Sequence, residues 1–156
     1  MRLAAAHGLR SASGGADDQT LMQAAEREEV RSVSDVERVR QVVRRFAAAL
    51  SFTPVAMEQV VLAATELATN LVRYAIRGTL EISEVAGAVG NGIQLASVDA
   101  GPGVSDVSWV MEDGTSTGGG LGSGLPAVRR LMDTFELTTS PSGTRIVVCK
   151  WPAARL

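Results

Sequence analysis

Residues 60–76, VVLAATELATNLVRYAI, constrain the fold more than any other stretch of the chain. They are apolar enough for a helix buried in a core, yet they carry Glu66 and Asn70. Upstream, Thr53 and Pro54 suit an N-cap and a first helical position, and Gly78 supplies a stop. The pattern therefore predicts one helix from residue 54 to about 76. Glu66 and Asn70 stand at i and i+4, one turn apart on a shared face. Whatever covers this helix has to accommodate that pair.

The flanking sequence supplies the cover. Ser34 and Asp35 can cap a preceding helix with Glu37 in its first turn, and Val36, Val39, Val42, Val43, Phe46 and Leu50 then recur at helical spacing. REEVRSV (27–33) ahead of it reads as an edge strand. GTLEISEV and GIQLASVD read as two strands joined by the turn-like AGAVGNG. LPAVRRLMD, with Pro126 in its first turn, predicts a third helix. TFELTTS and GTRIVVCKW form a terminal hairpin around residues 141–143. Strand, helix, helix, strands, helix and two strands make an α+β two-layer sandwich, a mixed, mostly antiparallel sheet with its helices on one face. Residues 1–26 are small, polar and aperiodic, and are expected to be a flexible tail before one domain over 27–156.

Composition removes several kinds of chemistry. The net charge of −2 gives no electrostatic case for nucleic acid or an anionic membrane. A single cysteine, Cys149, excludes an intramolecular disulfide and a cysteine-rich zinc site, and a single histidine, His7, speaks against histidine-based metal or triad chemistry. The only lysine is Lys150, so no Walker A lysine follows the glycines and any nucleotide site is of another kind. No uninterrupted apolar run reaches the roughly 20 residues that span a bilayer. Residues 1–8 are too short for a secretory leader. The expected location is the cytoplasm.

Four elements carry chemistry. Asn70 offers a neutral oxygen to Mg²⁺, a cation that prefers oxygen donors and keeps several waters. Glu66, one turn before it, can orient or deprotonate an attacking group. The plain alternative for the pair is a solvated stripe with an ordinary hydrogen bond. In DAGPG, Asp99 closes a strand, where its carboxylate can accept from an exocyclic amine such as that of adenine, while Gly101 and Gly103 let backbone approach a flat ring. A tight turn explains the same residues. The third element is a run of Gly118, Gly119, Gly120, Leu121, Gly122, Ser123 and Gly124 leading into a helix N-terminus, where free amides and the helix dipole attract phosphate. GSGLPA also fits the dinucleotide pattern, but no strand runs into it. Thr144 in the last strand is the fourth and weakest.

In order and spacing, this set resembles the GHKL ATPase superfamily of gyrase, MutL, histidine kinases and small bacterial serine kinases, over residues 27–151. DAGPGVSD followed by GLGSGLPAVRRLMDTFEL is similar to the RsbT stressosome switch-kinase type, related to the anti-sigma factor kinases. The resemblance implies the Bergerat fold and ATP with Mg²⁺ as cofactors. It implies that Asn70 holds Mg²⁺, that Asp99 reads adenine with Gly101 and Gly103 alongside, and that Thr144 supports the base through water. Residues 118–124 would wrap the phosphates as a lid, and Glu66 would be the catalytic base. The implied activity is a protein-serine/threonine kinase acting in stress response on a STAS-domain partner of the RsbS or RsbR kind. Once released, such a kinase would activate a PP2C-type phosphatase. Arg73, Arg77, Arg129 and Arg130 are candidates to face an acidic partner. The alternative is a nucleotide-binding anti-sigma factor or other binding regulator without kinase activity.

Overall fold

The computed structural model of the chain describes residues 2–6, 25–75, 77–101 and 124–153. Among them stand β1 (Arg2–Ala6), β2 (Ala25–Val30), α1 (Val33–Ala49), α2 (Pro54–Tyr74), β3 (Gly78–Val85), β4 (Gly92–Asp99), α3 (Leu125–Leu131), β5 (Thr134–Ser140) and β6 (Gly143–Lys150). The strands form one sheet in the order β1-β5-β6-β4-β3-β2, and every neighbouring pair is antiparallel. Side chains alternate across a strand, so one sheet face collects Leu80, Ile82, Ile93, Leu95, Phe135, Leu137, Ile146 and Val148. All of these are buried, and they share a single core with apolar residues of α1, α2 and α3. The result is the expected two-layer α+β sandwich.

Thr53 starts α2 as its sequence suggests: its hydroxyl accepts the Ala56 N–H at 3.2 Å, with Pro54 following it. By length and composition α2 would suffice to cross a bilayer. Here that apolar surface lies in the core, where Val60, Ala63, Ala64, Leu67 and Ala68 have essentially no exposure. The helix ends at Tyr74 with Ala75 as its cap, so Gly78 is not the stop expected for it. Gly78 instead opens β3 where a Cβ would sit 2.9 Å from Leu71 Cβ, which makes it a packing glycine.

Other boundaries also differ from expectation. α1 begins at Val33 behind an N-cap at Ser32, ahead of Ser34 and Asp35. The Asp35 carboxylate accepts the N–H groups of Arg31 and Ser32 at 2.8 and 2.9 Å, and these bonds hold its carboxyl below the usual carboxylate range. They also turn the chain from strand to helix, so β2 stops at Val30 and begins earlier, at Ala25. Residues Arg2–Ala6, read above as tail, form β1 along the open edge of β5, with Leu3 opposite Leu137 and Ala5 opposite Phe135. Alanine is a weak strand former, which is why this segment carries no strand signature in sequence. Residues 7–24 lie outside the described residues.

The C-terminus fixes α3 to the sheet. Lys150 Nζ donates to the Leu131 carbonyl at 2.9 Å, placing a cation at the helix C-terminus, and the Trp151 N–H donates to Asp133 at 2.9 Å. The chain's one lysine thus has a structural task. Cys149 is buried, which pushes its thiol up.

The turn between α1 and α2 contains Ser51 at φ 61°, a left-handed conformation that favours glycine. The N–H groups of Ser51 and Phe52 donate to Ala48 and Ala47 at 3.3 and 3.1 Å, a Schellman closure. Ser51→Gly should therefore stabilise the fold by about 0.5–1 kcal/mol in urea denaturation, the relieved strain less the added unfolded-state entropy. A loss of stability would show that the Ser51 side chain holds the turn.

Candidate functional site

The sheet alternation that builds the core continues to the end of three strands. Asp99 in β4 is the register partner of Thr144 in β6, and Thr144 is the partner of Thr139 in β5. A carboxylate and two hydroxyls thus form a polar row on the helix-facing side, beyond the apolar rows of Leu95, Val148 and Phe135. The two threonine hydroxyls lie 3.0 Å apart and both residues are buried. Asp99 Oδ1 accepts the Gly101 N–H at 2.8 Å. Among the described residues Oδ2 takes no hydrogen bond, so it is available to an incoming donor.

Gly143 makes the row possible. It opens β6 at φ 156°, and a Cβ there would collide with the Asp99 carbonyl oxygen. Only glycine allows the start of β6 to lie so close to the end of β4. At the sheet end a recess of about 240 Å³ is lined from both faces, by Asp99, Thr139 and Thr144 of this row and by Val98, Thr138 and Arg145 of the opposite one, with Ser140, Ser142 and Gly143 at the hairpin.

α2 packs on β3 and β4 and brings the second set of residues. Glu66 is 5% exposed, and Asn70, one turn later, is half-buried. Among the described residues neither side chain makes a hydrogen bond, so the two are not bonded to each other. Burial pushes the Glu66 carboxyl above its usual range, and the positive charge of Arg73 partly opposes the shift. Arg73 is exposed in the last turn of α2, seven residues after Glu66 and so on the same face. Sequence reading offered Arg73 only as a surface arginine for a partner. Its i+7 spacing from Glu66 was the available signal for its place beside the acid.

The remaining residues divide as follows. Gly124 is buried at φ 65° and precedes α3 as its N-cap, with its carbonyl accepting the Ala127 and Val128 N–H groups. Gly103, Gly118, Gly119, Gly120, Leu121, Gly122 and Ser123 lie outside the described residues. Thr139 was missed by sequence reading, because only the register of the β5–β6 hairpin brings it against Thr144.

A family model described as a histidine kinase-like ATPase domain matches residues 30–150. The chain is similar to the serine/threonine-protein kinase RsbT of Bacillus subtilis (strain 168), at 43% identity over 118 residues, 75% of this chain and 89% of that protein. Among solved structures it resembles the RsbU and RsbW domains of a Mycobacterium tuberculosis protein, at 14% identity and a TM-score of 0.59, over 86% of this chain and 34% of that one. At that identity the structural likeness concerns the fold alone.

A carboxyl whose proton affinity is raised by folding costs stability as pH climbs from its unfolded value through its raised folded value. Glu66→Gln should therefore melt at a higher temperature than the wild type at pH 7, and the gap should narrow on acidification and close at about pH 3, below the unfolded glutamate value, where both states are protonated. A lower melting temperature at pH 7 would mean that the ionised Glu66 is stabilised by its surroundings.

Proposed function

The chain belongs to the histidine kinase-like ATPase family, in its RsbT type, and from that premise we propose that it is an ATP-dependent protein-serine/threonine kinase of a partner-switching system. The observation that supports this most is the pairing of two sets. The row of Asp99 and Thr144 offers a base-reading edge at one end of the sheet, and a buried Glu66, with no hydrogen bond among the described residues, stands one turn from Asn70 on the helix above it.

In this reading Asp99 Oδ2 accepts from the exocyclic amine of adenine, while the Gly101 N–H holds Oδ1 in place. Thr144 supports the base through water. Gly101, with Gly103 beyond it, leaves room for the ring plane. Gly124 and the glycines before it lie along the phosphates, where backbone amides supply donors without side-chain bulk. Asn70 would contribute one amide oxygen to Mg²⁺. Oxygens of the triphosphate and water would complete the ion's coordination, as Mg²⁺ usually requires. When bound, Mg²⁺ neutralises charge on the triphosphate.

Phosphoryl transfer then needs alignment and a proton acceptor. The hydroxyl oxygen of an acceptor serine or threonine attacks the γ-phosphorus, the bond to ADP breaks, and Glu66 takes the hydroxyl proton. Its raised proton affinity suits that task, since a base closer to neutrality drives proton transfer better. The positive charge of Arg73 tempers the shift. The acceptor in this proposal is a STAS-domain protein of the RsbS or RsbR kind, in a cytoplasmic stressosome-like switch. Release of the kinase from the phosphorylated partner would let it activate a PP2C-type phosphatase.

The test is transfer of label from γ-labelled ATP with Mg²⁺ to a purified STAS-domain protein of the RsbS or RsbR kind. Glu66→Gln should reduce transfer by at least about 100-fold while ATP affinity changes little. Bound ATP and a stable complex with the STAS protein, but no labelled product from the wild type, would favour the non-catalytic regulator.

A further inference from the structure

Thr139 lies outside the set of residues that the proposed function uses, yet its hydroxyl contacts one that it does. Its Oγ1 is 3.0 Å from Thr144 Oγ1, the two residues are 3% and 9% exposed, and they face each other in register across β5 and β6. Thr144 in turn faces Asp99 across β6 and β4. Three strands therefore fix a line of hydroxyl, hydroxyl and carboxylate with little freedom for any of them.

A threonine hydroxyl carries one proton and two lone pairs. One proton fills the contact between the two threonines, and its owner decides what Thr144 presents to the recess. If Thr144 donates to Thr139, its proton is spent and the row shows only acceptors beside the Asp99 carboxylate. If Thr139 donates, Thr144 keeps a proton to offer. Acceptor next to donor is the complement of adenine, whose exocyclic amine donates beside an accepting ring nitrogen. Acceptor next to acceptor does not fit that edge, and guanine presents the opposite order, a carbonyl beside a ring N–H.

We propose that Thr139 is a positioning residue for nucleobase choice, donating to Thr144 so that the Thr144 proton, directly or through water, meets the accepting edge of adenine. This rests on the nucleotide-binding reading above. Burial makes the arrangement consequential, because bulk water has little access to restore a missing donor.

The experiment measures ATP and GTP dissociation constants for the full chain and for Thr139→Val, Thr139→Ser, Thr144→Val and the double valine variant, with melting temperatures alongside. Thr139→Val should weaken ATP by about three- to tenfold, the worth of one hydrogen bond, and leave GTP unchanged, so that the ATP-to-GTP preference narrows. Thr139→Ser should restore the preference, since it keeps the hydroxyl. In the Thr144→Val background, Thr139→Val should have no further effect on ATP. Tighter ATP binding in Thr139→Val would mean that Thr144 is the donor and would overturn the proposal. A lower melting temperature with the ATP-to-GTP preference intact would overturn it too, reducing Thr139 to a packing residue. A wild-type chain that binds no ATP would remove the underlying reading, and this inference with it.

Discussion

The antiparallel register of β4, β6 and β5 governs everything that follows in this structure. Because side chains alternate strictly across a strand, the residues that face the helices are fixed once one of them is. Leu95, Val148 and Phe135 form one such row, and Asp99, Thr144 and Thr139 form the polar row at the sheet end. The same pairing that buries the core thus carries a carboxylate and two hydroxyls to a common edge. A slip of one residue between β4 and β6 would send Asp99 and Leu95 alike to the opposite face. Gly143 permits the native register, since any side chain there would meet the Asp99 carbonyl oxygen.

α2 supplies the opposing constraint. Its buried leucines and valines each contribute about 1.5–3 kcal/mol of hydrophobic stabilisation, enough to hold the helix in the core despite a buried Glu66. An apolar residue at position 66 would pack with less penalty. Keeping an acid there, one turn from an amide without a hydrogen-bond partner among the described residues, makes sense as a device that trades stability for reactivity. The ends of α3 have the same logic of placement. Lys150 and Asp133 fix its C-terminal end to β6, so that its N-terminal end, with Gly124, has a defined position.

Much of the fold was legible in the sequence because its signals are local. The Thr53–Pro54 start of α2, the spacing of Val39, Val42, Val43 and Phe46 on α1, and the bounds of β3, β4, β5 and β6 all follow from neighbouring residues. The departures have non-local causes. Arg2–Ala6 joins the sheet only because β5 offers an open edge to a segment of weak strand formers. Gly78 looks like a helix stop, but its neighbour in space is Leu71. Ser32 displaces Ser34 as cap because Asp35 reaches back to the N–H groups of Arg31 and Ser32. In the candidate site, Glu66 with Asn70 and Asp99 with its glycine turn could be picked out by spacing. Thr144 was the weakest of those choices, and its place beside Asp99 depends on a register that no local pattern states. Thr139 and Arg73 needed, respectively, the hairpin pairing and the sense of the α2 face.

The central claim is that the Asp99–Thr144 row and the Glu66–Asn70 face of α2 are the two ends of one nucleotide site. A crystal structure of the chain with Mg²⁺ and a non-hydrolysable ATP analogue addresses it directly. The account predicts the exocyclic amine of adenine within hydrogen-bond distance of the Asp99 carboxylate and the metal on the Asn70 amide oxygen. A nucleotide bound with its base away from Asp99, or with its metal held by other side chains, would contradict it.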